Sequence, residues 1–409
     1  MSAKLYARPP NSEHHHLGPL ECHLSAFTLF LKSKGYSAAT LIGKLQFTCH
    51  FSRWLGEQAL NISDLDELTI NQFVEEPPKT VHIRPGDFTT LCSLLELLRE
   101  MELIPLPQAE DCKPCSVESE FALFLKEERG LSQKTVARYM PIINSFLGEY
   151  PSSDPIILSK IHISEITRFV VNLARTRSRS TAQLMTSVLR VFFRFLRYRG
   201  DITADLAAAV PTVANCRNQI PKHLTPAEVE KLLINCDRNT GIGRRDYAVL
   251  CLLARLGLRA GEVANMTLDD IDWEAGVVTI HGKGGRIDQL PIPHDVGEAL
   301  VAYLLQGRPT CQTRRIFVRA QAPLQGFTDS SAIGDIVCRA LARARLNPVL
   351  KGAHLLRHSL ATNLLLQGAS LAEIGEILGH LRASTTEIYA KVDVVALRAL
   401  AKPWPGGEA

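Results

Sequence analysis

HLLRHSLATNLLLQG, residues 354–368, reads as a helix with two characters. Leu355, Leu356, Leu360, Leu364 and Leu365 fall at helical spacing and serve a core. His354 and Arg357, three apart, share a different face. A cation on a helix that buries itself is costly unless something anionic meets it. The stretch therefore asks for a negatively charged partner. His354 and His358 also have the four-residue spacing of a metal pair. No glutamate base stands between them, however, and Arg357 would repel a cation, so no metal is expected.

Outward on the C-terminal side, Ser370 caps a helix, LAEIGEIL, which runs into Gly379-His380. ASTTEIYAKV then carries Tyr389. Taken singly, Tyr389 reads as a packing tyrosine and His380 as a helix-terminus residue. On the N-terminal side, the helix GRRDYAVLCLLARLGL leads into Arg259-Ala-Gly-Glu262, three residues that start a further helix and a glutamate on the same face as the arginine. VVTIHGK and RIDQLPI follow as short strands, joined through Gly282, Gly284 and Gly285 with Lys283 at the tip. The phosphate-loop pattern GxxxxGK[ST] is absent, and the glycine turn joins two strands rather than opening a helix. An antiparallel hairpin with a projecting lysine is expected. This domain opens at residue 222, where HLTPAEVEKLL combines Thr225 as N-cap, Pro226 at the first helical position and Glu228 as capping-box partner.

Ahead of it, an internal echo divides the chain. FTLFLKSKGYSAAT (27–40) and FALFLKEERGLSQKT (121–135) each give an apolar helix end, a glycine stop at Gly35 or Gly130, and a serine N-cap at Ser37 or Ser132. Later INQFV (70–74) matches ITRFV (166–170). A duplicated helical module is expected, over 20–105 and 115–200, after a polar leader, 1–19. Residues 201–221, with Pro211 and Pro221 and no strong periodicity, read as a linker to the 222–409 domain.

The formal net charge of +4 is mild, and the basic excess is concentrated between residues 111 and 222. Residues 168–200 contain arginines and no acidic side chain. Arg190, Arg194 and Arg197 share a helix face opposite Leu189, Phe192, Phe193 and Leu196, and Arg175, Arg177 and Arg179 precede them. A merely solvated face usually carries glutamates for balance. An all-arginine face on an apolar helix is the electrostatic footprint of a nucleic-acid backbone reader. The first copy, slightly acidic overall, lacks that footprint.

At 409 residues and 46% hydrophobic composition the chain has room for two or three cores. No apolar run approaches the roughly 20 residues that span a bilayer, and the N-terminus has no signal-peptide stretch, so a cytoplasmic protein without a membrane partner is expected. Ten scattered cysteines fit reduced thiols. Cys112 and Cys115 have CxxC spacing but lack a second ligand pair, and His14–His16 lie in the polar leader.

Together, Arg259, Lys283, His354, Arg357, His380 and Tyr389 resemble the catalytic constellation of the tyrosine recombinases, the phage-integrase family. The local phrasing GLRAGEV, HGKGGR, HLLRHSLAT, LGH and IYAKV resembles it too, across about residues 222–395. The 115–200 unit looks like that family's core-binding domain. The resemblance implies a mainly α fold, with a small antiparallel β-sheet in the C-terminal catalytic domain and helical SAM-like units before it. It implies that Tyr389 attacks a scissile DNA phosphate to give a 3′-phosphotyrosyl bond and a free 5′-hydroxyl. The resemblance makes Arg259 and Arg357 the oxyanion donors, His354 the proton handler at the nucleophile and Lys283 the general acid. It gives His380 a hydrogen bond to the phosphate, with Glu262 in support. Neither metal, ATP nor any other cofactor is implied. The partners implied are double-stranded DNA and a homo- or hetero-tetramer on two sites, with the tail after Tyr389 packed on a neighbouring protomer.

Two features set the chain apart or leave room for another reading. Many family members have one helical unit before the catalytic domain, and this chain has two. The extra one is free to grip DNA, meet a partner protein or stabilise its neighbour. It also favours recombination for a mobile genetic element over housekeeping resolution. A type IB topoisomerase shares the phosphotyrosine chemistry, but the phrasing around Arg259 and His354 is that of integrases. An accessory DNA-binding subunit, dependent on partner recombinases, is the other alternative. A non-catalytic one would have lost some of the six positions, and all six are present.

Overall fold

In the computed structural model the described residues are 18–78, 81–105, 116–148, 161–214, 221–282 and 285–392. The chain divides into two compact units. One comprises Pro107–Gln219; the other joins Met1–Leu106 to Ile220–Ala409.

The N-terminal helices are α1 (Leu24–Ser33), α2 (Ala38–Glu57), α3 (Glu67–Glu75) and α4 (Asp87–Glu100). Ser37 caps α2 by accepting the Thr40 N–H, and Asp66 caps α3 by accepting that of Thr69. Phe27, Phe51, Trp54, Phe73, Leu91 and Leu98 close a core between them. Phe73 is its hub, 5.0 Å from the Phe51 ring and 5.2 Å from Trp54.

The middle unit contains α5 (Val117–Glu127), α6 (Gln133–Leu147), α7 (Ile163–Thr176), α8 (Arg179–Arg199) and the single-turn α9 (Leu206–Ala209). It repeats the first bundle at the level of contacts. Ser132 caps α6 as Ser37 caps α2. Phe121 and Phe124 stack at 6.3 Å and 19°, as Phe27 and Phe30 do. Ile166 and Phe169 are buried in α7 as Ile70 and Phe73 are in α3. The duplication legible in the sequence is thus a duplication of packing.

Residues 201–214, expected as part of a linker, do more than connect. Ile202, Leu206, Ala207 and Val210 are buried in the same core as Phe192 and Leu196 of α8. Four apolar residues in so short a segment give no readable period, yet the surface of α8 supplies them a place to bury.

The larger unit's second segment comprises α10 (Pro226–Ile234), α11 (Gly241–Arg255), α12 (Ala260–Asn265), β1 (Ile271–Asp272), β2 (Val277–His281), β3 (Ile287–Pro291), α13 (His294–Gln306), α14 (Ser331–Arg343), α15 (Ala353–Leu366), α16 (Leu371–Ile377) and α17 (Ala383–Thr386), followed by a 3-10 segment, Glu387–Val392. Thr225, Pro226 and Glu228 open α10 with the expected capping box. The expected hairpin is present: β2 pairs antiparallel with β3, His281 opposite Ile287, and β1 adds a third strand beside β2. Helix α11 is buried on every side from Ala248 to Leu253, which makes it the centre of the core. The fold is mainly helical with one small antiparallel sheet, as expected.

Helix α15 serves two cores. Its first half sends Leu355 and Leu356 into the main one. Its second half sends Ala361, with Leu360, Leu364 and Leu365 beside it, into a smaller one with Ile374, Leu378 and Tyr389. The Leu224 N–H donates to Ser359 Oγ at 2.8 Å, which ties α15 to the start of this segment.

The N-terminal helices and the 222–392 segment meet at a defined point. The Leu324 N–H donates to Lys34 O at 2.8 Å. Gly35 lies beneath Leu324 with φ +85°, and a Cβ built on it would stand 2.4 Å from a Leu324 methyl. Glycine is required there twice over, for conformation and for space.

Candidate active site

Arg259 is positioned by one carboxylate acting twice. It stands at the N-cap of α12, where its own N–H donates to Glu262 Oε2 at 2.7 Å. Its Nη1 donates to Glu262 Oε1, also at 2.7 Å. The carboxylate that starts the helix therefore also aims the guanidinium, and Glu262 is only 7% exposed. Arg259 Nη2 donates further to Gly379 O at 3.3 Å.

Arg357, 5% exposed, is held by two backbone carbonyls: Nη1 donates to Gly257 O at 2.6 Å and Nη2 to Leu378 O. Gly257 has φ +62°, and a Cβ there would collide with Leu378 and Leu360. Only glycine lets the chain turn tightly enough to offer that carbonyl. Each guanidinium has five N–H donors, and in each one bond from Nη1 and one from Nη2 are committed. The remaining donors of both are available to an anion.

Three histidines surround the arginines. His354 is exposed, and His358 and His380 are half-buried. The His380 N–H donates to Gly375 O at 2.8 Å, and its Nδ1 shares a 2.8 Å hydrogen bond with Thr386 Oγ1. Desolvation, followed by the charges of Arg357, Arg259 and then His358, pushes its pKa down to about 4. Desolvation and the two arginines also lower His354, with Glu262 opposing them. Burial, then His354 and Arg357, lowers His358. Arg357 itself is pushed down to about 10, first by burial and then by Arg259. All these shifts have one sense. Burial is the first cause in each, and positive charge the second: two guanidinium groups share the single carboxylate of Glu262, and a bound anion would oppose that second part.

Tyr389, in the 3-10 segment, is 1% exposed and lies on the small core. Burial raises its pKa, against the pull of Arg357. Its hydroxyl has a specific partner: His358 Nδ1, at 2.9 Å. The two rings are 5.7 Å apart at 60°.

Five of the six residues singled out in the sequence, with Glu262, therefore converge on the N-termini of α12 and α15 and the turn after α16. Lys283 lies outside the described residues. Its hairpin arrives beside the site, since a Cβ on Gly379 would stand 3.3 Å from Asp288 Oδ2 of β3. His358 is the residue sequence reading missed. In the sequence it reads only as a metal partner of His354, and nothing local marks its contact with a tyrosine 31 residues downstream.

The arginines of the middle unit separate into two groups. Arg175, Arg177, Arg179 and Arg194 are exposed. Arg190 is not open to a backbone: its Nη2 donates to Val210 O, Pro211 O and Thr212 Oγ1 at 3.0–3.1 Å. Arg197 pairs with Asp205 at 3.3 Å. The acidic and carbonyl partners come from residues just beyond the window that read as purely basic. Of the six arginines singled out in the sequence, Arg190 is thus engaged within its own unit, and Arg197, exposed like the other four, has an acidic neighbour.

Residues 222–395 match the phage integrase family, and residues 119–200 match its N-terminal SAM-like domain. The chain is 40% identical over 404 residues to a Sinorhizobium fredii protein bearing the name integrase/recombinase y4rA, across 98% of this chain and 97% of that one. It is 32% identical over 288 residues to the tyrosine recombinase XerC of Anoxybacillus flavithermus, across 68% and 93%. Among solved structures it is similar to the XerH site-specific recombinase bound to difH substrate, with a TM-score of 0.52 and 18% identity over 93% of this chain and 97% of that chain. It is also similar to a lambda integrase dimer bound to a COC′ core site, with a TM-score of 0.53 and 21% identity over 67% and 94%. At those identities the structures speak to fold, and the sequence relatives to descent. The chain belongs to the phage integrase family, the tyrosine recombinases.

Proposed function

We propose that this recombinase cuts and rejoins DNA through a 3′-phosphotyrosyl bond to Tyr389, in the service of a mobile genetic element. The observation that carries the reading is the excess positive charge at Arg259 and Arg357, two anchored guanidinium groups with donors to spare, beside a buried tyrosine hydroxyl. Attack of the Tyr389 oxygen on a phosphodiester builds negative charge on the nonbridging oxygens. Forked, planar donors fixed in advance stabilise that charge without reorganising. His380, kept neutral, offers a hydrogen bond to the same phosphate. Lys283, from the β2–β3 turn, is assigned the proton for the 5′-oxygen leaving group, and His354 proton handling on the nucleophile's side. The phosphotyrosyl bond conserves the energy of the broken ester, so a 5′-hydroxyl can reverse the step without ATP. The arginines carry the charge stabilisation that a divalent ion supplies elsewhere, so no metal is needed.

DNA is held in addition by the exposed arginines of the middle unit, Arg175, Arg177, Arg179 and Arg194. Exchange between two duplexes requires more than one protomer, and a tetramer on two sites, of this chain alone or with partner recombinases, is the arrangement proposed. Residues 20–105 are assigned as an additional helical unit, 115–200 as the core-binding domain and 222–409 as the catalytic domain. Among the described residues no helix is long and apolar enough to cross a membrane.

The test uses wild type and Tyr389→Phe with nicked duplexes from the ends of the protein's own genetic element, resolved on a denaturing gel. A protein–DNA adduct with wild type alone is expected. An adduct with both would mean another residue is the nucleophile. Binding by both without an adduct, rescued by adding a neighbouring recombinase, would instead make this chain a dependent subunit.

A further inference from the structure

Tyr389 poses a problem of proton transfer that the six family positions do not solve. The residue is 1% exposed and belongs to the buried cluster of Ala361, Ile374 and Leu378, so its phenolic proton has no direct route to bulk water when the oxygen bonds to phosphorus. His354, the residue to which the family resemblance gives proton handling, stands one helical turn before His358, their rings 6.4 Å apart. The hydrogen bond to the tyrosine oxygen belongs to His358.

We propose that His358 is a catalytic residue, the general base that accepts the phenolic proton of Tyr389 during cleavage and returns it during rejoining. This rests on Tyr389 being the nucleophile. For the Tyr389 O–H to donate, His358 must carry its lone pair on Nδ1 and its proton on Nε2. As the Oη–P bond forms, the Oη–H bond breaks and the proton passes to Nδ1. The P–O5′ bond breaks with its electron pair on the 5′-oxygen, which takes a proton from the general acid assigned to Lys283. In rejoining, the 5′-hydroxyl attacks and returns its proton to the group assigned to Lys283, the P–Oη bond breaks, and the imidazolium of His358 protonates the departing tyrosine.

The surroundings suit an imidazole that must begin neutral. The titratable groups facing His358 are His354 and Arg357 on its own helix, Tyr389 on the 3-10 segment and His380 after α16. Of these only Arg357 is charged at neutral pH, and it disfavours a second cation beside it. Phosphate binding compensates Arg357, which makes the imidazolium easier to form once DNA is in place. The base thus strengthens when the substrate arrives. His358 is half-buried rather than sealed, so it can exchange its proton with water between turnovers.

His358→Gln retains an acceptor for the tyrosine hydroxyl but cannot be protonated. Single-turnover adduct formation on the nicked duplex would be followed from about pH 6 to about pH 9. With wild type the rate should be nearly flat above pH 6.5. With His358→Gln it should fall on the order of 10²-fold at neutral pH and climb about tenfold per pH unit, because hydroxide must now remove the proton. The deficit should persist on a duplex whose scissile 5′-oxygen is replaced by sulfur, since a thiolate leaves without a proton. His358→Asn should behave likewise, and gel-shift affinity and thermal unfolding separate either variant from a misfolded chain. A flat profile at the wild-type rate in the variants would overturn the proposal, as would a faster one, which would mean that His358 restrains Tyr389. Rescue by the sulfur substrate would move His358 to the leaving-group side. If Tyr389→Phe still forms the adduct, the nucleophile itself is wrong and the inference falls with it; if only the His358 results fail, Tyr389 stands.

Discussion

Arg357 is buried against two backbone carbonyls, in a place where an ammonium group could not span both. Arg357→Lys therefore keeps the charge and loses the fork. Adduct formation should drop by about 10²–10³-fold, while the affinity for an uncut duplex, measured by gel shift, changes only a few-fold. Loss of binding in parallel with loss of cleavage would make Arg357 a general DNA contact instead. The histidines add a pH signature to the protein without DNA. His380 titrates near pH 4 when folded and near 6.5 when unfolded, so between those values the unfolded chain binds more protons. Stability contributed by the neutral ring is complete above pH 6.5 and is lost as pH falls toward 4. His354 and His358 shift in the same direction. The urea midpoint should accordingly be lower at pH 5 than at pH 7.5, and His380→Asn should flatten part of that slope. An unchanged slope would place the histidine outside the charge field described here. At this scale the sequence was most legible where one short motif carries both residue type and setting, as in HLLRH and GLRAGEV. It was silent on His358–Tyr389, because that contact exists only once the 3-10 segment folds back on α15.

Helix α8 shows how an element misleads when cut out of its chain. Its arginines read as one basic face, and the segment itself does lack acidic residues. The turn at Gly200 brings Asp205, the Val210 and Pro211 carbonyls and the Thr212 hydroxyl onto that face. Arg199 is taken up as well, by Asp201 and by Glu120 of α5. What remains open is the cluster at the α7–α8 junction, with Arg194. Two substitutions separate the groups. Arg175, Arg177 and Arg179 changed together to Gln should lower the slope of log affinity against log salt by up to about 3, leaving thermal unfolding within a degree or two of wild type. Arg190→Gln should leave the salt slope alone and destabilise the unit, since it removes the bonds that tie residues 210–212 to α8. The reverse pattern would restore Arg190 as a phosphate contact. Helix caps and the β2–β3 hairpin were readable because their signals are local. The packing of 201–214 was not, because its partner surface is supplied by another element.

Over the whole molecule the two helical bundles share caps, ring stacks and buried positions, yet their surfaces have diverged. Gly35 and Gly130 occupy matching places after α1 and α5, both with positive φ. Leu324 covers Gly35, whereas a Cβ on Gly130 would meet nothing within 4 Å. Gly130→Ala should therefore cost only the backbone strain, about 1 kcal/mol. Gly35→Ala should cost more and should also loosen the contact with residues 319–326, which limited proteolysis of that loop would report. Equal effects at the two positions would mean that the Leu324 contact contributes nothing. The repeat itself was visible in sequence because duplicated cores keep their apolar spacing. The use made of the first copy was not, since one glycine and one leucine, almost three hundred residues apart, leave no local pattern.

Everything proposed for the site depends on Tyr389 becoming covalently joined to DNA. The most direct measurement is to trap the adduct on a nicked duplex, digest protein and DNA, and locate the nucleotide-bearing tyrosine by tandem mass spectrometry. The phosphotyrosyl remnant is expected on the peptide containing EIYAK, with the modification on Tyr389. A remnant on Tyr247, Tyr303 or any other residue, from an active protein, would contradict it.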